Sequence, residues 1–293
     1  MKKQFEIIGL SLYLCCITQV SVRAAADGLV LHYTFDNDEG DRVPDASGNG
    51  RTAKVNGAAW VADGALGGAY RFDNNSQNLT ATDAGLPSGD APRTLAMWLK
   101  MDKNQAKGCT GMLGYGTNGF NRQSTGIGFD WRENRDRVYF SPGGACFLSE
   151  SKLPAPGTWL HAAYTYDGSG AHHLYINGLP NDGMSELGGP VSTLLSGVLL
   201  LGGQPGGEGP DGGYLDDVRI YDRALSQAEV AALAGGATSI QIPAAGPAAG
   251  NRSLPPGFQL GFLAGACFGG ILAGFICLRR PKAKAPPAQV QPR

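Results

Sequence analysis

The stretch LVLHYTFD at residues 29–36 sets the period that decides the fold. Leu29, Leu31, Tyr33 and Phe35 fall on one face of an extended strand, and the side chains between them fall on the other. The same two-residue period recurs in later runs, at residues 95–101, 127–131, 138–140 and 174–176. Many short strands bounded by Gly, Asn, Asp or Pro predict an all-β antiparallel sandwich or barrel. The dipeptide Asn177-Gly178 predicts a tight two-residue hairpin turn.

One helix is predicted late in the chain. Ser226 is placed to cap its N-terminus while Glu229 reaches back, which forms a capping box. Leu225 and Val230 occupy the positions of a hydrophobic staple. Glycines at 235 and 236 then end the helix.

The first residues predict a secretory signal peptide over residues 1–26. Lys2 and Lys3 form a short positive region, an apolar run of about 14 residues follows, and alanines at 24–26 mark the cleavage site. The alternative is a first transmembrane helix. The apolar run is shorter than the roughly 20 residues that a bilayer requires, which favours the signal peptide.

The C-terminal part predicts an anchor. An Ala/Gly/Pro linker (237–256) leads to an uncharged segment long enough to span a bilayer (257–278), and a basic tail (279–293) follows at once. The positive-inside rule places that tail in the cytoplasm, so we expect a single-pass cell-membrane protein whose N-terminal domain is extracellular or periplasmic. The alternative is removal of this segment by a sorting protease, although the sequence contains no recognised sorting motif.

Small residues recur along the predicted membrane helix. Gly261, Gly265 and Gly269 are four residues apart and give one bare helix face, which favours a homodimer in the membrane. The alternative is that glycine is simply frequent, since the chain has 45 glycines among 293 residues.

Residues 27–236 then form one domain of ordinary size for an all-β fold. The net charge of −1 gives no electrostatic case for binding nucleic acid. Cys109 and Cys146 are the only cysteines outside the predicted signal peptide and membrane helix. In an oxidising compartment they are candidates for a disulfide, and two separate buried thiols are the alternative.

Four segments of the predicted domain resemble a known family. They are LHYTFD at 31–36 with DASGNG at 45–50, RFD at 71–73, GTWLHAAYTYDG at 157–168 with LYING at 174–178, and DDVRIYDRALS at 216–226. In this order they resemble the laminin-G-like, concanavalin-A-like lectin and glucanase jelly-roll domains of bacterial surface proteins. The resemblance implies two packed antiparallel sheets, often a bound calcium ion, and glycan or protein ligands.

The resemblance also implies which residues would hold the calcium ion. Carried over to this chain, the ligands are Asp36, Asp45 and Asn49 in the loop after the first strand, and Asp216 at the start of the last strand. Asp216 shares the parity of Val218 and the other apolar side chains of that strand. We therefore expect its carboxylate to turn inward and to need a partner. The alternative is a set of turn-capping aspartates with a salt bridge to an arginine.

Some relatives of such domains are glycoside hydrolases, which need two carboxylates facing one sugar bond. The glutamates of this domain have no second glutamate nearby, and Asp130 and Glu133 have the wrong parity for one strand face. We therefore predict a non-enzymatic, membrane-anchored binding or adhesion module that recognises glycan or extracellular protein. The alternatives are a structural surface component without a small ligand and, ranked last, a degenerate glycoside hydrolase.

Two further expectations concern local structure. The glycine-rich stretch at residues 114–119 predicts a β-turn, because no helical pattern follows it. Trp131, near a strand end, is the tryptophan expected to be exposed, where it is a candidate for stacking on a sugar. Surface exposure without binding is the favoured alternative. Trp98 and Trp159 are expected to be buried.

Overall fold

The computed structural model describes residues 27–105, 108–118, 121–132, 135–187 and 189–237. Almost every element in this part of the chain is a strand. The strands are β1 (Leu29–Tyr33), β2 (Arg42–Val43), β3 (Ala53–Asn56), β4 (Ala59–Val61), β5 (Ala69–Phe72), β6 (Asn78–Ala81), β7 (Arg93–Met101), β8 (Cys109–Gly116), β9 (Ser124–Asp130), β10 (Arg137–Ser141), β11 (Phe147–Ser149), β12 (Leu160–Tyr166), β13 (His172–Ile176), β14 (Leu179–Pro180), β15 (Asp182–Ser185), β16 (Leu199–Leu201) and β17 (Gly213–Tyr221). One helix, α1 (Gln227–Ala234), follows.

The strands form two antiparallel sheets. Sheet A has the order β14-β13-β12-β7-β17-β5-β4, and β1 also pairs with β17. Sheet B has the order β15-β11-β10-β9-β8-β16-β6-β3-β2. The predicted antiparallel sandwich with one short helix is therefore confirmed.

The main core lies between the two sheets. Each sheet contributes the side chains of alternate residues, among them Leu95, Met97 and Leu99 of β7 and Ile127, Phe129 and Phe140 of β9 and β10. Each of these side chains is almost completely buried. Burying one large apolar side chain stabilises a fold by roughly 1.5–3 kcal/mol, so this interior supplies most of the driving force.

A second apolar cluster covers part of the outer face of sheet A, the face that points away from sheet B. Val230 and Leu233 of α1 pack there against side chains of the sheet, namely Ala96, Ala163, Tyr175 and Tyr221. The predicted capping box is present, because the Ser226 side chain accepts from the Glu229 amide and the Glu229 carboxylate accepts from the Ser226 amide. The predicted Asn177-Gly178 hairpin turn is also present, with positive φ at both residues.

Two irregularities break the predicted alternation. The register of β1 against β17 shifts between Leu29 and Leu31, so Leu29 packs with the outer cluster instead of the core. The register of β17 against β7 shifts between Asp216 and Arg219, and Asp217 has a φ of 45°. The parity argument for Asp216 was therefore wrong, because a β-bulge separates it from Val218.

Candidate functional site

A polar cleft opens at the end of the sandwich where β5 and β7 end and β8 and β17 begin. We call it the rim cleft. Its volume is about 570 Å³, which lies in the range of small-molecule sites. Its polar lining comes from loops at this end, through Asn75, Gln105, Thr110, Gln204, Glu208 and Asp211. Two hydrogen bonds hold the walls: the Gly111 amide donates to the Glu208 carbonyl (2.9 Å), and Gln105 Nε2 donates to the Asp211 carbonyl (2.9 Å).

Glycines on sheet B make room for one side of this cleft. A Cβ at Gly111, Gly114 or Gly126 would lie 2.5–2.7 Å from atoms of Gln204. Because these strand positions carry no side chain, the loop that contains Gln204 lies directly on the outer face of the sheet. The predicted turn at residues 114–119 was wrong at its start, since Gly114 and Gly116 lie within β8.

An aromatic–cation cluster lies at the same end of the sandwich as the rim cleft, on the outer face of sheet A. Lys100 Nζ is 4.8 Å from the ring centroid of Trp159 and 4.0 Å from that of Tyr214. Tyr214 Oη donates to Asp102 Oδ2 at 2.9 Å. The amide of Asp102 in turn donates, at 2.8 Å, to the segment that supplies Asp211 to the cleft. The cluster and the cleft therefore share one rim of the sandwich.

The tryptophans do not lie where the sequence predicts. Trp131 is 6% exposed and packs on Phe129, so the expectation of an exposed Trp131 was wrong. Its position continues the inward parity of β9 past the end of the strand. Trp98 and Trp159, which we expected to be buried, are half-buried on the outer face of sheet A.

Two of the predicted calcium ligands approach the same loop, residues 63–68. Asp216 is completely buried, and its Oδ2 accepts from the Leu66 amide at 2.7 Å. Its Oδ1 has no hydrogen-bond partner among the described residues. Asp36 lies on the other side of the loop, where a Cβ on Gly67 would collide with its Oδ1. Gly67 has a φ of 93°, which favours glycine, and it lets the loop pass close to Asp36.

The electrostatics of Asp216 fit a nearby cation. Burial raises the pKa of Asp216 to about 7, because the carboxylate loses hydration that its hydrogen bonds from backbone amides, chiefly that of Leu66, do not replace, and the charge of Asp217 acts in the same direction. The alternative salt bridge is not formed, since Arg219 pairs with Asp217 and Arg223 pairs with Glu229. Within the described ranges, no group of three or more His, Cys, Asp or Glu side chains could hold a metal ion. A cation held by two carboxylates would thus need main-chain carbonyl oxygens to complete its shell.

The other two predicted ligands have different partners. Asp45 Oδ1 accepts from the His32 and Ser47 amides (both 3.0 Å), and Oδ2 accepts from the Arg51 amide (3.1 Å). Burial alone would raise the pKa of Asp45, but these hydrogen bonds outweigh it and lower the pKa. Asn49 Nδ2 donates to main-chain carbonyls of β1. Both side chains therefore fasten their own loop to the first strand, and the structure does not bring them to the 63–68 loop.

Asp130 and Glu133 are the carboxylate pair that the sequence analysis weighed for catalysis. Asp130 is completely buried and accepts two hydrogen bonds from Arg132 (3.0 and 2.8 Å) and one from Arg135 (3.3 Å). Burial would raise the pKa of Asp130, yet the hydrogen bonds from Arg132 lower it, so this group is a poor proton donor. Glu133 lies outside the described residues.

A second pair of carboxylates was missed by the sequence analysis. Glu208 and Asp211 line the rim cleft together, although they lie on a loop where strand parity gives no guidance. Asp211 is ion-paired with Lys103 at 2.8 Å.

The two cysteines of the domain meet on the outer face of sheet B. Both are free thiols, and they lie in one side-chain cluster. They pack with Tyr139 and Leu148. The predicted disulfide is therefore absent from the described part of the chain, but its two residues are neighbours.

Other predictions cannot be compared with the structure. The signal peptide, nearly all of the linker, the membrane helix with Gly261, Gly265 and Gly269, and the basic tail lie outside the described residues. Within the described ranges, no helix has the length and apolar character needed to cross a membrane.

Two sheets of antiparallel strands with a polar cleft on the rim define a lectin-like jelly roll. The chain belongs to the concanavalin A-like lectin/glucanase superfamily, because the Laminin_G_3 family model matches residues 73–231, more than half of its length. No curated protein sequence matches the chain significantly.

Solved structures share this fold. Domain 4 of AbnA, an extracellular GH43 arabinanase from Geobacillus stearothermophilus solved with arabinotriose, is 24% identical with a TM-score of 0.54. That match covers 70% of this chain and 98% of the other. The binding domain of Paraclostridial Mosquitocidal Protein 1 is 19% identical (TM-score 0.54, 72% and 53% covered), and Trypanosoma rangeli sialidase is 18% identical (TM-score 0.53, 71% and 32% covered). The chain thus spans about half of the mosquitocidal-protein binding domain and about a third of the sialidase. Identities this low show the fold alone.

Proposed function

We propose that this chain is a non-catalytic, membrane-anchored extracytoplasmic module that binds glycan in the rim cleft. The observation that carries the proposal is the cleft itself, whose lining of amide and carboxylate side chains can donate to and accept from sugar hydroxyls. The aromatic–cation cluster adds two rings at the same end of the sandwich, on the outer face of sheet A, although no aromatic ring of the described residues lines the cleft itself. The similarity to an arabinanase domain solved with arabinotriose supports the ligand class.

A glycan array probed with the full chain in detergent tests the proposal. A glycan that binds should lose affinity by about tenfold in Glu208→Gln, because one charge-assisted hydrogen bond contributes roughly 1.5–3 kcal/mol. Glu150→Gln is the matched control, since Glu150 is exposed and does not line the rim cleft. If no glycan binds, the chain recognises a protein or is a structural surface component. Equal binding by both variants would place the glycan elsewhere.

The absence of catalysis is part of the same proposal. It is supported by two ion pairs, that of Asp211 with Lys103 and that of the ionised Asp130 with Arg132, because a carboxylate held in an ion pair is a poor proton donor. The glycan that binds in the array should therefore be recovered intact after long incubation, as chromatography of the reducing ends would show. Release of shorter products would instead favour a hydrolase, with Glu208 and Asp211 as its candidate pair.

We also propose that a calcium ion stabilises the domain through Asp36, Asp216 and carbonyl groups of the 63–68 loop. Such an ion would supply structural charge: it would partner the unpaired Oδ1 of Asp216 and join the end of β1 to β17. A free calcium concentration of about 100 times Kd stabilises a fold by roughly 2.7 kcal/mol. The Tm in calcium should therefore be several degrees higher than the Tm in chelator.

A matched pair of variants tests the calcium site. Asp216→Asn should abolish the calcium-dependent rise in Tm, whereas Asp45→Asn should lower the Tm in both conditions and keep the rise. The reason is that Asp45 fastens its own loop through amide hydrogen bonds. An unchanged wild-type melt in chelator would show that the site binds no calcium.

The membrane anchor at 257–278 and a homodimer through Gly261, Gly265 and Gly269 complete the proposal. Both rest on the sequence: an uncharged span, a basic tail after it and a four-residue glycine repeat.

A further inference from the structure

Two thiols with different surroundings meet beside the rim cleft. Cys109 is the first residue of β8, is partly exposed and lines the cleft. Cys146 is 8% exposed and lies just before β11. The two side chains pack in one cluster with Tyr139 and Leu148. Solvent and small molecules in the cleft therefore reach Cys109 directly, whereas Cys146 does not line the cleft and is largely buried.

An ion pair between the buried Asp130 and the partly exposed Arg132 orients a cation toward the inner thiol. Asp130 holds the Arg132 guanidinium through two hydrogen bonds, from Nε at 3.0 Å and from Nη2 at 2.8 Å. Arg132 Nη2 also lies 3.4 Å from Cys146 Sγ. Because Asp130 fixes the plane of the guanidinium, the positive charge stays beside the sulfur in the folded state.

This arrangement favours a thiolate at Cys146. The hydrogen bond from Cys109 and the charge and hydrogen bond of Arg132 outweigh burial and lower the pKa of Cys146 to about 6. The same hydrogen bond and its own burial raise the pKa of Cys109. At neutral pH the pair therefore shares one proton, which Cys109 carries.

We propose that Cys109 and Cys146 form a reversible dithiol–disulfide couple that exchanges with low-molecular-weight disulfides entering through the rim cleft. Cys109 passes its proton to the Cys146 sulfur, and its thiolate attacks the small disulfide. One S–S bond breaks and one forms, and the first small thiolate takes the proton from Cys146 and leaves as a thiol. Cys146, again a thiolate beside Arg132, then attacks Cys109 Sγ and expels the second small thiolate. The protein loses two electrons, and the small disulfide gains them.

Oxidation would tie the cleft to the neighbouring strands. Thr110 and Gly111, which follow Cys109, pair with Glu208 across the cleft. A covalent bond from Cys109 to Cys146 would therefore fix this wall to the segment before β11. The couple needs no glycan, so it stands or fails independently of the proposed ligand.

The test uses the full chain in detergent, reduced, freed of reductant and exposed to oxidised glutathione at pH 7. Peptide mapping by mass spectrometry should find Cys109 linked to Cys146, in preference to any bond involving Cys15, Cys16, Cys267 or Cys277. Return to reduced glutathione should restore both thiols. Failure to form the linked peptide, or failure of reduced glutathione to reopen it, would overturn the couple.

Variants distinguish the roles of the two sulfurs. Cys146→Ser should accumulate a stable glutathione adduct on Cys109, because the resolving thiolate is gone. Cys109→Ser should acquire glutathione at least tenfold more slowly than wild type, since Cys146 is buried. An adduct forming on Cys109→Ser as fast as on wild type would contradict the order of attack.

Arg132 is a positioning residue in this scheme. Arg132→Gln should slow disulfide formation about tenfold at pH 7, because less of the pair is thiolate, and the rate should approach that of wild type near pH 9. Arg132→Lys keeps a charge beside Asp130 and should be less impaired. Arg137→Gln is the control, since Arg137 bonds the Ser149 carbonyl and should leave the rate unchanged. Loss of rate at both pH values alike would indicate only a structural role.

Discussion

At the scale of single residues, the outer face of sheet A contains a buried histidine, His161, whose burial the alternation of the sequence does not predict. His161 is 1% exposed, lies edge-on to Trp98 at 5.4 Å, and has no hydrogen-bond partner for Nδ1 among the described residues. Burial lowers the pKa of His161 to about 4. The imidazole is therefore neutral in the folded state at physiological pH.

This histidine predicts acid sensitivity with a definite sign. A histidine in the unfolded chain has a pKa of about 6.5. As the pH falls from about 6.5 toward 4, the unfolded chain therefore binds a proton at this histidine and the folded chain does not. The stability is present above that window and is lost within it, by about 2 kcal/mol at pH 4.5. In urea titrations at pH 7 and pH 4.5, His161→Phe should lose correspondingly less stability than wild type.

The matched control for this experiment is His173→Gln. His173 lies on the same face of sheet A, but its side chain is about half exposed and bonds Asp182 at 2.7 Å. This variant should keep the acid sensitivity of wild type. An unchanged pH dependence in His161→Phe would mean that other groups account for the loss.

At the scale of elements, local signals were predictable and cross-strand ones were not. The capping box of α1 and the Asn177-Gly178 turn depend on residues within a few positions of one another, and both are confirmed. The bulge at Asp217 and the close approach of Gln204 to β8 depend on partners far along the chain. A one-dimensional pattern contains no information on such partners, so the parity of Asp216 and the turn at 114–119 were misjudged.

The glycines under Gln204 give a prediction at this scale. Gly114→Ala places a methyl group 2.7 Å from Gln204 Cβ and 2.9 Å from its Cα, so the backbone of the loop must shift. We expect a loss of about 1–3 kcal/mol in the free energy of unfolding and a weaker response to any glycan that the rim cleft binds. Denaturant melts of the variant and wild type measure the first effect, and the array measures the second.

Gly203→Ala is the control for the loop substitution. No heavy atom lies within 4 Å of the position its Cβ would take, although it is the residue before Gln204. It should be neutral or stabilising by roughly 0.4–1 kcal/mol, because alanine restricts the unfolded chain. Equal destabilisation by both substitutions would show that the loop does not rest on the glycines of sheet B.

At the scale of the whole molecule, the period of two and the order of the four family segments were enough to predict the sandwich. The order of strands within each sheet was not predictable, because pairing joins residues as distant as Leu29 and Tyr221. The site was predictable only in part. Asp36 and Asp216 do meet one loop, whereas the rim cleft is assembled from three separate chain segments that share no sequence signal.

The organisation of the molecule can be tested by shortening it from the C-terminus. A chain that ends at residue 240 keeps the hydrogen bond from Arg219 Nη1 to the Ala237 carbonyl and all of α1. It should therefore melt at the temperature of the full chain. A chain that ends at residue 225 loses Val230 and Leu233, which are completely buried against sheet A. Its stability should fall by roughly 3–6 kcal/mol, the value of two large apolar side chains.

The same two chains locate the anchor. If residues 257–278 span the membrane, the full chain should be recovered with membranes, whereas the chain ending at 240 should be recovered in the aqueous fraction, still folded by circular dichroism. The comparison with the chain ending at 225 separates loss of anchoring from loss of folding, because an unfolded chain also sediments. A folded 240-residue chain that remains with the membranes after a high-salt wash would place the anchor outside the predicted helix.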